Sequence, residues 1–313
     1  SGGYMREEKE KIIKSVLGRN YSSGKELLFH CPFCNHHKKK LSVNVDKGVF
    51  KCWICDKSGS SLGYLVRKFG SSKDREHWKK FETTVDVSSY EDLFSPPDKP
   101  VEQRIDLPKE FVSLTGKTTH KGQHVALRYL RERGITRDDI MRWKIGYCAE
   151  GEFAGRVIIP SFNKDGWVDY YVARSWGYEW PRYKNPPVSR DIIFNELYLN
   201  WDEEIVIVEG VFDAIKAGNA IPLLGSTLRE GSVIFETLVK NNARVLLALD
   251  ADAERKSRSI ARLLSYYGVE TYAIDTTGFE DVGAMPKDEF KVRKENASFN
   301  GKDNYLLEKL LSI

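Results

Sequence analysis

The chain has 313 residues, room for two or three domains, and its 30% charged and 41% hydrophobic residues are ordinary for a water-soluble globular protein. No run approaches the ~20 apolar residues of a membrane span, and no apolar stretch with a small-residue cleavage site opens the chain, so neither a membrane partner nor a secretory signal is expected. The formal net charge of +4 is uneven: residues 1–85 hold 18 Lys+Arg against 9 Asp+Glu, and the remainder hold 31 against 36. A basic front suits a polyanion and a mildly acidic remainder suits metal ions, unless the asymmetry merely reflects two solvated surfaces.

Ser1-Gly2-Gly3 reads as a tag remnant and is left out of the fold reading. Cys31-Pro32-Phe33-Cys34 and Cys52-Trp53-Ile54-Cys55 stand 17 residues apart, the spacing of a four-thiolate zinc ribbon. Zinc takes four soft ligands tetrahedrally and each knuckle supplies two, which outweighs four incidental thiols. His30, His36 and His37 lie nearby, but four cysteines already fill a site, so the histidines are expected to face solvent. Between the knuckles, Leu41 to Val45 and Val49 to Lys51 alternate as a hairpin around Asp46-Lys47-Gly48. Lys38, Lys39 and Lys40 follow the first knuckle and could grip phosphates. Phe33 and Phe50 are read as ribbon core, and Trp53 suits either the core or base stacking. Paired CxxC units of this kind are metal ligands in a reducing compartment, so the expected location is cytoplasmic. The fifth cysteine, Cys148, reads as a buried apolar residue.

Three prolines within Ser95 to Pro100 break any helix or central strand, so a linker is placed at 86–107. His124 to Arg133 has helical apolar spacing with Gly134 as its stop, and Thr136 with Asp139 forms a capping box for a second short helix. Arg156 to Pro160 and Trp167 to Arg174 read as strands. Gly116-Lys117-Thr118 looks like the end of a phosphate loop, but Phe111 stands where the first glycine should be and no strand leads in, so it reads as a plain loop. From 204 onward, strands at 205–208, 221–224, 245–249 and 269–274 alternate with helices starting near Phe212, around 232–240 and over Arg258 to Tyr267. That alternation gives a parallel sheet covered by helices. The fold class is therefore multidomain α+β: an N-terminal β ribbon, a mixed α/β middle region, and an α/β domain with a parallel sheet.

Acidic groups follow three of these strands: Glu209 and Asp213 in Glu209-Gly210-Val211-Phe212-Asp213-Ala214, then Asp250-Ala251-Asp252, then Glu280-Asp281. In an open parallel sheet the carboxyl ends of strands line one crevice, so groups distant in sequence can converge. Crowded carboxylates call for a hard cation, and magnesium or manganese suits oxygen ligands that leave room for phosphates. Acids at strand ends also serve as helix N-caps, but three sets on successive strands exceed what capping needs.

The EGxxDA element at 209–214 with the DxD at 250–252 resembles the TOPRIM domain, and a ribbon of this cysteine pattern ahead of it resembles DnaG-type and phage primases. Tyr129 to Ile135, Ile145-Gly146-Tyr147 and Gly155 to Pro160 are similar to the N-terminal half of their polymerase core. Pro181-Arg182-Tyr183-Lys184-Asn185 resembles the basic segment beside their active site. The resemblance implies a ribbon domain over 1–85, the linker at 86–107, the N-terminal part of an RNA polymerase core over 108–203, and a TOPRIM catalytic domain over 204–313. It implies metal ligation by Glu209, Asp250, Asp252 and Asp281 with Asp213 in support, catalysis by Glu209, Asp250 and Asp252, and contact with template or nucleotide by Arg156, Arg174, Arg182, Lys184 and Asn185. It further implies a single-stranded DNA template, ribonucleoside triphosphates, RNA primer synthesis for replication, and a replicative helicase as a separate chain. Two departures stand out: Gly283 replaces a second acid or Asn after Asp281, and Ala253-Glu254-Arg255-Lys256 replaces the usual small residues, leaving Lys256 without a role. The competing readings are a type IA topoisomerase, for which the chain is short, a TOPRIM nuclease, and a non-catalytic zinc/TOPRIM clamp on DNA.

Overall fold

A computed structural model describes residues 2–82, 102–116 and 120–300. Most of the expected linker, with Lys117 and Thr118 of the loop after Phe111, lies outside these residues. The described residues form two compact units, one drawn from within 1–101 together with 236–242 and 262–269, the other from within 102–235, 243–261 and 270–313.

The first unit opens with a helix that the sequence reading did not assign, α1 (Gly2–Leu17). Its charged face carries an Arg6–Glu10 pair at 3.0 Å, while Ile12 and Ile13 enter the core. Five short strands follow, β1 (Tyr21–Ser23), β2 (Glu26–Phe29), β3 (Leu41–Asn44), β4 (Val49–Cys52) and β5 (Ser58–Gly59), in an antiparallel sheet of that order. The hairpin expected between the knuckles is β3–β4, with Val43 opposite Phe50. Two further helices, α2 (Leu62–Phe69) and α3 (Ser72–Trp78), bring Leu65, Val66 and Trp78 into the core. A capping box starts α3: Ser71 Oγ accepts from the Asp74 amide at 3.1 Å, and the Asp74 carboxylate accepts from the Ser71 amide at 2.9 Å.

In the second unit β6 (Val112–Ser113), β7 (Gly146–Cys148), β8 (Arg156–Phe162) and β9 (Val168–Ser175) make an antiparallel sheet in that order. With it go α4 (Gln123–Glu132) and α5 (Arg137–Trp143), both where the sequence puts them. The Thr136 box is formed as read, with the Asp139 amide donating to Oγ1 at 3.1 Å and the Thr136 amide donating back at 2.9 Å. Cys148 is fully buried, and burial pushes its thiol up to about 12.

The last sheet comprises β10 (Ile205–Val208), β11 (Ala220–Pro222), β12 (Val245–Leu247), β13 (Thr271–Ala273) and β14 (Ser298–Phe299), in the order β11-β10-β12-β13-β14. All its pairings are parallel except β13–β14, an antiparallel edge that the sequence reading missed. Helices α6 (Val211–Ala217) and α9 (Lys287–Glu295) belong to the same unit, whereas α7 (Val233–Lys240) and α8 (Glu254–Tyr266) are each divided between the two units. β12 is shorter than 245–249 because pairing stops at Leu247, although Ala248 and Leu249 remain buried, and β13 contracts likewise from 269–274. From β10 the chain goes to β11 on one side and then to β12 on the other. The crevice at that switch point lies outside the carboxyl ends of β10 and β12, where Glu209 and Asp250 stand.

Candidate active site and zinc centre

In the first unit the four thiols Cys31, Cys34, Cys52 and Cys55 lie within 4.8 Å of one another. Cys31 Sγ is 3.8 Å from Cys55 Sγ, and Cys34 Sγ is 3.9 Å from Cys52 Sγ. Zinc–sulfur bonds of about 2.3 Å in a tetrahedron set the sulfurs about 3.8 Å apart, so the cluster has the dimensions of a structural zinc site. The histidines are not among the converging donors: the His36 and His37 rings lie on one another at 4.3 Å, and His30 Nδ1 faces the His36 carbonyl. Phe33 meets Phe69 edge-on at 5.0 Å and packs against the ribbon core that includes Phe50, as read. Lys38 and Lys39 are partly exposed, with the Lys39 ammonium 4.1 Å over the Tyr21 ring. Lys40 and Trp53 are buried, so neither side chain faces solvent as a DNA contact requires. Burial pushes the Lys40 ammonium down to about 8.

The second unit holds the acids. Glu209 follows β10 directly, and Asp250 is the third residue after β12. The Glu209 carboxylate accepts from Lys256 Nζ at 2.9 Å, which gives Lys256 a partner that the sequence reading could not supply. Burial pushes the Asp250 carboxyl up to about 6, with the charges of Glu209, Asp281 and Asp252 adding and Lys256 opposing. Asp250 thus stands within the fields of three other carboxylates. Among the described residues, however, only the four thiols meet as closely as a bound ion demands. The donor set of oxygens and its mutual repulsion fit a hard cation in chemistry, without the convergence of the ribbon site.

Asp213 is buried and already engaged, accepting from the Gly210 amide at 3.0 Å and the Gly283 amide at 2.7 Å. It thereby ties the turn after β10 to the turn at 281–284, where the Asp281 carboxylate caps the Ala284 amide at 2.8 Å. Burial raises Asp213 to about 6, with the two amides pulling down and Asp281 and Asp250 pushing up. The glycine at 283 has a local reason: a Cβ there would lie 3.1 Å from Asp213 Oδ1 and 3.3 Å from Asp281 Oδ1.

Beside Asp281 and Glu280 a cleft of about 420 Å³ is lined by Tyr129, Arg133, Arg174, Arg182 and Tyr183. Tyr129 Oη accepts from Arg133 Nη1 and from Arg174 Nε, each at 2.9 Å. Arg133 also lies 4.0 Å over the Phe212 ring and Arg174 4.9 Å over the Tyr183 ring. Two of the basic residues named from sequence, Arg174 and Arg182, therefore line the cleft. The others do not: Arg156 is buried and donates to the Pro181 carbonyl at 2.8 Å, Lys184 pairs with Glu152 at 3.3 Å, and Asn185 is half-buried beside Tyr170. Arg133 and Tyr129 were missed as site residues. The signal was available, since positions four apart at the end of α4 share a face.

The model of the DnaG zinc-ribbon family, the CHC2 zinc finger, matches residues 9–88. The DNA primase of Staphylococcus epidermidis is 23% identical over 93% of this chain and 56% of its own length. That of Thermotoga maritima is 25% identical over 75% of this chain and 50% of its own. The ribbon segment thus matches the DnaG zinc-ribbon family, and the chain as a whole is similar to bacterial DNA primases. It spans about half the length of the curated relatives it matches. A DNA primase domain from Pseudomonas aeruginosa shares the fold, with a TM-score of 0.50 and 20% identity over 62% of this chain and 78% of that domain. These relatives are bacterial, and a phage origin finds no support in them. Among the described residues no helix is long and apolar enough to cross a membrane.

Proposed function

We propose that the protein is a DNA-dependent RNA polymerase that lays short RNA primers on single-stranded DNA for replication. The observation that supports the reading is an arginine-lined cleft beside Glu280 and Asp281, with the charge of Asp281 felt at Asp250, in a chain that also carries a four-thiol ribbon. Glu209, Asp250, Asp252 and Asp281 would hold magnesium or manganese, which when bound neutralises charge on the phosphates and makes the primer hydroxyl more acidic. Arg174 and Arg182 bind phosphate oxygens of template or nucleotide, and Tyr129 keeps the Arg133 and Arg174 guanidinium groups in place. Glu209 accepts the proton as the 3′-oxygen bonds to the α-phosphorus of a ribonucleoside triphosphate and pyrophosphate leaves. Asp213 positions the loops and does not itself bind a cation. Catalysis rests on orientation and charge neutralisation. Zinc on the four cysteines holds the ribbon, whose Lys38 and Lys39 add phosphate contacts. Arg156, Lys184 and Asn185 act by shaping the segment after the Trp180-Pro181 bond. A replicative helicase on a separate chain, in the cytoplasm, would deliver the template.

The test is incubation with mixed-sequence single-stranded DNA, labelled ribonucleotides and magnesium or manganese, beside the Asp250→Ala, Asp252→Ala variant. Short RNA from the wild type alone is expected. DNA binding without RNA, unaffected by Asp250→Asn, would turn the reading to a non-catalytic clamp, and degradation of the DNA would turn it to a nuclease.

A further inference from the structure

We propose that the loop from Ser175 to Arg182 is a stacking platform on which Tyr178 and Trp180 hold bases of single-stranded nucleic acid at the mouth of the arginine cleft. The inference deepens the reading above and rests on a nucleic-acid strand occupying that cleft. Tyr178 is 104% exposed and Trp180 86%. Rings of this size standing wholly in water forgo their burial energy unless something covers them.

The loop that presents them is firmly tied. The Ser175 amide donates to the Arg182 carbonyl, the Lys184 amide to Ala173 and the Trp176 amide to Gly155, at 2.9, 2.9 and 3.0 Å. Inside the loop, Ser175 Oγ donates to Glu179 Oε2 at 3.1 Å and accepts from the Gly177 amide at 3.1 Å. The buried Arg156 fixes the Pro181 carbonyl from below. Gly155 has φ of +74°, and a Cβ there would sit 2.7 Å from Glu179 Cδ, so its lack of a side chain leaves room for that carboxylate. The loop's one acid is thus engaged at its base and Trp176 packs against Tyr147, so the rings left to solvent are those of Tyr178 and Trp180.

The occupant follows from what adjoins the rings. Two residues beyond Trp180 the chain reaches Arg182 and Tyr183, which line the cleft with Arg133 and Arg174. A row of cations that can follow a sugar–phosphate backbone, leading to flat rings that can take any base, is the pattern of sequence-tolerant single-strand binding. Trp167 makes the contrast: it is half-exposed too, but the Arg104 guanidinium covers it at 4.3 Å. Among the described residues neither Tyr178 nor Trp180 has a ring or cation partner.

The test is binding of a fluorescent mixed-sequence DNA strand and of an abasic strand of equal length, by polarisation at several salt concentrations. Wild type is compared with Tyr178→Ala/Trp180→Ala and with Trp180→Phe. The double variant should lose about tenfold or more in affinity for the strand with bases, with an unchanged salt slope and unchanged melting temperature. It should bind the abasic strand as the wild type does, and Trp180→Phe should keep most of the affinity. Equal binding by wild type and double variant, or an equal loss on the abasic strand, would overturn the platform, and a partner protein would then be sought for the rings. Wild type that binds DNA through these rings but makes no primer would leave the platform standing and remove the polymerase. Failure of the wild type to bind either strand would remove both.

Discussion

The two metal centres expected in this chain are built in opposite ways. In the ribbon, ligands come in pairs three residues apart, and one hairpin brings the pairs together with all sulfurs within 4.8 Å. In the acidic set, the carboxylates come from segments that follow three different strands, β10, β12 and β13, and they feel one another's charge without closing into a cluster. The first centre is part of the fold and should fail with it. The second is laid on a sheet that has its own core, so its residues should be removable one at a time.

Cys52→Ser tests the first half of that contrast and should have the largest effect. Structural zinc contributes roughly 10 kcal/mol or more to folding, so loss of one thiolate should unfold the ribbon. Metal analysis should show loss of zinc, and circular dichroism should show loss of β signal. Full zinc content in a folded variant would erase the difference between the centres. Asp250→Ala tests the second half. It should lower primer synthesis roughly 10³-fold while leaving the melting temperature within a few degrees, since Asp250 contributes nothing to the sheet core. A collapse in stability instead would mean that the acids hold the fold as the thiols do.

The same contrast explains what was legible in the sequence. The ribbon, the Thr136 cap and the strand at 205–208 depend on neighbours within a few residues, and all could be read directly. The acids could be named because each follows an apolar run. Their spatial relation could not be read, because it depends on strand order and on cross-chain partners such as Lys256 on Glu209 and the Gly283 amide on Asp213. The basic residues divided for a similar reason: Arg156 and Arg174 look alike in sequence, but on β8 and β9 the first is buried and the second reaches the cleft. α1 leaves only a weak sequence signal, because its apolar face is narrow, with Ile12 and Ile13 as its buried residues.

Asp169 offers a third arrangement, a carboxylate with neither an ion nor a neighbouring cation. It is buried on β9 with Oδ1 lacking a hydrogen-bond partner among the described residues. Burial pushes it up to about 6, with Glu196 and Glu102 adding and Ser161 opposing. Its folded value lies above its unfolded one. Its contribution to stability is therefore complete below about pH 4 and is lost as pH rises through about 6. Asp169→Asn keeps the shape and removes that loss. Urea denaturation should show the variant more stable by about 2–3 kcal/mol at pH 8 and no more stable at pH 4. Equal stability at pH 8 would show that the site accommodates an ionised carboxylate without help, and the cost assigned to burying the Asp250 carboxylate would fall with it.

The smallest expected effect bears most directly on why the acidic set stays open. Lys256 Nζ lies 2.9 Å from Glu209, and its charge is felt at Asp250, so an ammonium already occupies part of the field that a divalent ion would fill. A partly buried pair of this kind is worth about 1 kcal/mol. Lys256→Met should therefore cost about that much stability in chelator and bind manganese severalfold more tightly, because the incoming ion no longer displaces a cation. Both effects can be read without turnover, by thermal melting with and without metal and by titration of manganese resonance. Tighter binding would mean that the chain carries its own counter-ion and exchanges it for the metal, which allows the crevice to stay folded and open between ions. Weaker binding would mean that the lysine arranges Glu209 for the ion, and the acidic centre would then be closer in kind to the ribbon, its geometry prepared before the metal arrives.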